Sequence, residues 1–73
     1  MTKWEYLEVV VWESTGGSFK NTQVEQITVN GTIVFNDSKN PTNLFAYLNV
    51  LGNDGWELVI RDHNKFYFKR LLE

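Results

Sequence analysis

The feature that most constrains this chain is the dipeptide Asn30-Gly31, which separates two segments rich in branched and aromatic residues. Both residues of the dipeptide tolerate positive φ angles, so they favour a two-residue type I′ turn, whose twist matches that of antiparallel strands. The flanking segments, residues 24–29 and 32–35, have the composition of half-buried strands. The sequence therefore predicts a β-hairpin in the middle of the chain.

Three further segments have strand character. Residues 4–13 are dense in Val, Trp, Tyr and Leu and contain no glycine or proline. Residues 56–61 and 66–71 can each be divided into alternate residues that point to opposite faces of a strand, one of them apolar enough to lie under a helix. His63, between the last two segments, is predicted to be a solvated turn residue. Residues 14–18 contain two glycines and three hydroxyl side chains, and they predict a loop.

One helix is predicted between the central hairpin and the last two strands. Asn40 is placed to cap it, and Pro41 suits the first helical position, where a missing N–H costs nothing. Apolar residues then recur at spacings of three and four, at Leu44, Tyr47, Leu48 and Leu51. Gly52 lies on the same helix face and is expected to allow close approach to the sheet, and Gly55 is expected to end the helix in a left-handed conformation.

The element order β-β-β-α-β-β predicts an α+β fold, an antiparallel sheet of about five strands with one helix packed on one face. The length of 73 residues predicts a single domain, residues 1–73, with no room for a second core. Trp56 is expected to begin the fourth of these strands inside the core.

The face of the sheet away from the helix, which we call the outer face, is predicted to be unusually apolar. Alternation in the first strand turns Leu7, Val9 and Val11 towards the helix. An unbroken register in the central hairpin pairs Ile27 with Val34, and it turns Phe35 outwards. The predicted interaction residues of the outer face are Trp4, Tyr6, Val10, Trp12, Ile33, Phe35 and Tyr67, with Val59 as a further candidate.

Self-association through the outer face is the function that the sequence favours. Contiguous apolar patches usually mark interaction sites, and domains of this size without disulfides are commonly stabilised by oligomerisation. The expectation is a non-catalytic, homo-oligomeric interaction domain. The alternative is a small-ligand or nucleotide-binding accessory protein with a pocket between subunits.

Composition argues against other classes of function. Seven basic and nine acidic residues give a net charge near −2, whereas nucleic acids and anionic membranes reward clustered Lys and Arg. No apolar run approaches the roughly 20 residues that cross a bilayer, and the first residues lack the plan of a signal peptide. With no cysteine, the chain is expected to be soluble and cytoplasmic.

No catalytic, cofactor or metal site is expected. The chain has one histidine and no cysteine, and its nine acidic residues are spread along the sequence, so the usual sets of zinc or calcium ligands are missing. Trp4, Tyr6, Trp12 and Tyr67 could also stack on nucleic-acid bases, but such platforms need basic surroundings. The sequence therefore predicts a protein that is not an enzyme.

Three segments resemble a family of small bacterial and phage domains of unknown function, catalogued as DUF4177. They are Lys3-Trp4-Glu5-Tyr6, the stretch from Leu48 to Val59 (LNVLGNDGWELV), and Phe68-Lys69-Arg70. The resemblance implies a small α+β domain with no known activity and no catalytic residues to carry over. In this chain the Asn30-Gly31 hairpin stands where the family often has a shorter or variable loop.

Overall fold

The structure, a computed structural model, describes residues 2–13 and 23–72 of the chain. The loop predicted at residues 14–18 lies outside the described residues. The described elements are β1 (Lys3–Glu13), β2 (Gln23–Val29), β3 (Thr32–Asn36), β4 (Thr42–Asn43), α1 (Leu44–Asn53), β5 (Glu57–Asp62) and β6 (Lys65–Leu72).

The strands form one antiparallel sheet in the order β3-β2-β1-β6-β5, and the short β4 pairs with β2 beside β3. The helix packs on one face of this sheet, so the predicted α+β fold is confirmed. The first and last strands are the central neighbours, paired over eight residues from Lys3 to Val10 of β1. All five long strands are thus held by antiparallel ladders.

The predicted central hairpin is confirmed. Asn30 and Gly31 have φ angles of 50° and 87°, the positive values that a type I′ turn requires at both central positions. Asn30 also binds β1, because its main-chain N–H donates to the carbonyl of Glu8 (2.8 Å) and its Oδ1 accepts from the Glu8 N–H (2.9 Å). The turn is therefore fastened to the centre of the sheet.

The core lies between the helix and the sheet. Val9 and Val11 of β1 are fully buried there and Leu7 packs against them, as the alternation of this strand predicts. The buried apolar residues are Val9, Val11, Val24, Ile27, Leu44, Leu51, Phe66 and Phe68. One helical residue near each end of α1, Leu44 and Leu51, therefore anchors the helix on the sheet.

A β-bulge in the central hairpin corrects the predicted register. Ile27 pairs with Phe35, and Val34 is the extra residue that the bulge leaves unpaired. Phe35 consequently packs against the core and does not lie on the outer face, so its assignment to that face is wrong. The bulge changes which face a residue meets, since strand side chains alternate with a period of two.

A second bulge, in β5, has the same effect near the end of the chain. Leu58 pairs with Phe68 and Ile60 pairs with Tyr67, so Val59 is the extra residue. The alternation of the sequence predicts that Leu58 and Ile60 share a face. The bulge instead places Ile60 beside Tyr67, on the outer face, while Leu58 stays on the helix side.

The helix begins three residues later than Asn40 and Pro41 predict. Asn43 is the N-cap, with its Oδ1 accepting from the N–H of Ala46 at 3.1 Å. Thr42 and Asn43 are extended because they pair with the part of β2 that β3 leaves free. The sheet edge therefore competes with the first helical turn and decides where the helix starts.

The end of the helix confirms the role predicted for Gly55. Gly55 has a φ of 92°, and the N–H groups of Gly55 and Trp56 donate to the carbonyls of Gly52 and Leu51, both at 3.0 Å. This is the Schellman pattern, which satisfies the last helical carbonyls. The role predicted for Gly52 is wrong, because a methyl group at this position would meet open space.

Arg70 ties the end of the helix to the sheet. Its guanidinium donates to Glu5 Oε2 of β1 (2.8 Å) and to the carbonyl and carboxylate of Asp54 (3.0 and 2.8 Å). The same group lies 4.3 Å above the ring of Trp56, in cation–π geometry. Trp56 packs against the core immediately before β5 begins, so its predicted structural role fits this arrangement.

Gly52 within the helix and Gly55 just after its end should respond in opposite ways to replacement by alanine. We expect Gly52→Ala to raise the free energy of unfolding by about 0.5–1 kcal/mol, because alanine has the higher helix propensity and its methyl group meets no neighbour. We expect Gly55→Ala to lower it by about 1–2 kcal/mol, because of the positive φ. Urea denaturation measures both, and a destabilising Gly52→Ala would contradict the open space around Gly52.

Replacing Arg70 by lysine should lower the melting temperature, although the charge is kept. Lysine cannot hold Glu5 and Asp54 with one planar group while stacking on Trp56. Arg61→Lys is the matched control, since Arg61 is exposed and stacks on Phe66 at 4.9 Å without an ion pair among the described residues. Equal melting temperatures for the two variants would contradict the bridging role of Arg70.

Candidate interaction surface

The strand register brings most of the predicted interaction residues together on the outer face. In β1 and β6, Glu8 pairs with Tyr67, and Tyr6 pairs with Lys69. The remaining members follow from pairings with their neighbours, since directly opposed residues share a face. The outer face is formed by Trp4, Tyr6, Glu8, Val10, Trp12, Gln26, Thr28, Ile33, Asn36, Glu57, Ile60, Asp62, Lys65, Tyr67, Lys69 and Leu71.

Large apolar side chains are exposed across this face. The exposed fraction is 69% for Tyr6, 57% for Ile60 and 43% for Trp12. Ile33 lies at one side of the sheet and Trp4 at one end of its central strand, and both are exposed as well. Exposed apolar residues are therefore present from the β3 edge of the sheet to the β5 edge.

Two outer-face residues were missed from the sequence. Ile60 was missed because the bulge in β5 changes the alternation of that strand, and no residue type in the strand predicts a bulge. Leu71 pairs with Trp4, and it would have been found by extending the alternation of Tyr67 and Lys69 by one more step. Both additions enlarge the apolar part of the outer face.

Charged side chains are interspersed with the apolar ones. The ammonium of Lys69 lies 4.4 Å above the ring of Trp4, and Glu57 is opposite Lys69 in the sheet, on the face away from the helix. Glu8 accepts a hydrogen bond from the hydroxyl of Tyr67 at 3.0 Å. The aromatic residues thus have carboxylates as well as lysines beside them, which does not favour stacking on nucleic-acid bases.

A cavity of about 220 Å³ lies at Tyr6, Glu8 and Tyr67. Val59 and Asn30 contribute to its walls from either side of the β1–β6 pair. Leu7 and Phe68 complete the lining, although both pack their side chains into the core. Glu8 is the one charged residue of this lining, so the cavity has a negative character.

The hydrogen bond to Glu8 affects the ionisation of Tyr67. Its pKa is raised above the ordinary value of 10.0, first by this bond, which holds the phenol proton, and then by burial and the negative charge of Glu8 and Asp62. The phenol therefore remains a neutral donor to Glu8 at neutral pH.

The edges of the sheet are less suited to pairing with another chain. β3 and β5 are the edge strands, and each contains a bulge, at Val34 and Val59. β5 also carries Glu57, Arg61 and Asp62 within six residues. Bulges and charges are the usual means by which edge strands avoid adding further strands.

His63 lies where the sequence predicts it. It occupies the two-residue turn between β5 and β6 with a φ of 56°, and its side chain is 93% exposed. Its Nδ1 is 2.9 Å from a carboxylate oxygen of Asp62. The neighbouring Asn64 instead joins the sheet, donating from Nδ2 to the carbonyl of Val11 at 3.0 Å.

Two further features concern the residues that the structure describes. No group of three or more His, Cys, Asp or Glu side chains in residues 2–13 and 23–72 is arranged to hold a metal ion. Within the same ranges, no helix has the length and apolar character needed to cross a membrane.

Comparison with known proteins does not assign this fold to a family. No family model, no curated protein and no solved structure matches the chain. The resemblance to DUF4177 therefore stays a prediction, and the functional argument depends on the geometry of the chain itself.

The pairing of Tyr67 with Glu8 predicts a specific loss of stability in alkali. The pKa of Tyr67 is higher in the folded protein than in the unfolded chain. The hydrogen bond therefore makes its full contribution to the free energy of unfolding below about pH 10, and this contribution is lost as the pH rises through the pKa of the folded protein. We expect the stability difference between the native chain and Tyr67→Phe to narrow above pH 10. Urea denaturation from pH 8 to 11 measures it, and a difference independent of pH would contradict the assignment.

Proposed function

We propose that this chain is a non-catalytic domain that associates with further copies of itself through the outer face. The observation that carries the proposal is the number of large apolar residues exposed there, exemplified by Tyr6, Trp12 and Ile60. A sheet face that meets only water is ordinarily polar, and exposed apolar patches of this kind mark interaction sites. A cytoplasmic location, proposed from the absence of cysteine, accompanies this function.

The size of the outer face supports a stable interface. The five long strands contain five to eleven residues each. With a rise of about 3.3 Å per residue and a spacing of about 4.8 Å, they give a projected area on the order of 600 Å². Side-chain relief makes the accessible area larger than this projection, and stable protein interfaces bury about 800 Å² per partner.

Contact between faces is favoured over pairing between edges. The two edge strands are interrupted by bulges at Val34 and Val59, whereas the central strands expose large apolar residues on the outer face, among them Tyr6, Trp12 and Leu71. Sheets that pack face to face bury alternate side chains of each strand, which are the side chains exposed here. A second copy that presents the same face would therefore bury the exposed apolar side chains of both partners, as in a two-fold symmetric dimer.

Charge substitutions on the outer face should dissociate the oligomer. We expect Tyr6→Asp and Trp12→Asp each to reduce the solution mass towards the 8.6 kDa of one chain, because the interface would lose an aromatic contact and would have to remove a carboxylate from water. Light scattering behind a sizing column, over a dilution series, measures the mass.

The matched control is Phe45→Asp. Phe45 is an aromatic residue of α1 with an exposed fraction of 59%, and it lies on the helix rather than on the outer face. This variant should keep the native mass. The proposal fails if the native chain has a mass of 8.6 kDa at every concentration, or if Tyr6→Asp and Trp12→Asp keep the native mass.

A second candidate function is the binding of a small ligand between subunits. The cavity at Tyr6, Glu8 and Tyr67 supports it, since the cavity opens on the surface that a second copy would cover. A nucleotide is the less suitable ligand, because its phosphates would face the carboxylate of Glu8. The ligand that this cavity favours is a cation.

A further inference from the structure

Glu8 is a carboxylate without a cation among the described residues. It is partly buried in the central strand, and its one side-chain hydrogen bond in the described part of the chain comes from Tyr67. The ion pairs within 4.0 Å in residues 2–13 and 23–72 join Arg70 to Glu5 and Asp54. The ring of His63 contacts Asp62 and not Glu8. Lys65 and Lys69 flank Tyr67 on the same face, but no ion pair within 4.0 Å joins either of them to Glu8. A negative charge that is partly removed from water and has no direct ion pair favours the binding of a cation.

The surroundings of Glu8 suit a cation with an apolar body. The rings of Tyr6 and Tyr67 line the same cavity, and aromatic rings attract ammonium groups. Val59 adds an apolar side chain, and the Oδ1 of Asn30 is already engaged by the N–H of Glu8. The cavity of about 220 Å³ corresponds to about seven water molecules at the density of the liquid.

We propose that this cavity binds a small alkylammonium ion, with the carboxylate of Glu8 as counter-ion and the rings of Tyr6 and Tyr67 beside the charged group. The hydroxyl of Tyr67 holds one oxygen of Glu8, which leaves the other oxygen to accept from the ammonium. The proposal gives a chemical class to the ligand-binding alternative. It does not depend on self-association, because every lining residue belongs to one chain.

Titration followed by amide NMR tests the chemical class with four probes. n-Butylammonium has the proposed charge and size, tetramethylammonium has the charge without N–H donors, butan-1-ol is neutral, and butyrate is an anion. We expect n-butylammonium to shift the amides of Tyr6, Glu8 and Tyr67 saturably, with a Kd at least ten times lower than that of butan-1-ol or butyrate. Equal affinity for the ammonium and the alcohol would overturn the proposal.

Tetramethylammonium separates the two sources of affinity within the site. Binding as tight as that of n-butylammonium assigns the affinity to the rings and to the charge of Glu8. Weaker binding assigns part of it to hydrogen bonds with the carboxylate. Both results support a cation site, provided that butan-1-ol binds more weakly than either ion.

Glu8→Gln is the decisive variant. Its amide oxygen still accepts from Tyr67 and its shape is nearly unchanged, so the fold is kept while the charge is removed. Glu57→Gln removes the same charge from the outer face at a residue that does not line the cavity. We expect Glu8→Gln to weaken n-butylammonium binding at least ten-fold and Glu57→Gln to weaken it less than two-fold. Equal effects of the two variants would mean that the probe responds only to the overall charge of the outer face, and this result would overturn the proposed site.

Titrations at two protein concentrations keep this result separate from self-association. Light scattering on the same samples gives the mass of the chain, whether or not the probe binds. Binding confined to the dilute sample means that a second copy and the cation compete for the cavity, which supports the site. Binding at both concentrations also supports it, and absence of binding at both overturns it.

Discussion

The pairing of β1 with β6 is the interaction on which the rest of this structure depends. It joins the two ends of the chain at the centre of the sheet, and each strand contributes to both faces. On the helix side Val9 meets Phe66 in the core, and on the outer face Glu8 meets Tyr67. Because contacts so distant in sequence are entropically costly to close, the buried core must compensate for them.

The single helix determines which part of the sheet is covered. α1 has ten residues, about 15 Å of helix, and Arg70 fastens its end to β1 through Glu5. A helix of that length covers the middle of one sheet face, and even on its own side it leaves Leu58 of β5 exposed. The outer face receives no cover from the described residues. Its large apolar residues are therefore exposed, and this exposure is what supports the proposed self-association.

The candidate cation site arises from the same central pair. Tyr6 and Glu8 come from β1 and Tyr67 from β6, so the cavity is built on the most firmly held part of the sheet. The bulge in β5 then adds Val59 to its wall. The proposed site and the outer face share Tyr6, Glu8 and Tyr67, so a second copy bound to this face would either compete with the ligand or enclose it.

Elements with local signals could be predicted from the residues alone. Asn30-Gly31 specified the hairpin through positive φ, Gly55 specified the helix end, and the alternation of β1 separated core from surface. Only the tertiary structure decided what depends on distant partners. β2 offered a free edge that moved the helix start to Asn43, and two bulges exchanged the faces of Phe35 and Ile60. The conformation of a tight turn depends mainly on its own residues. The position of a bulge depends on the neighbouring strand and on which side chains the core buries.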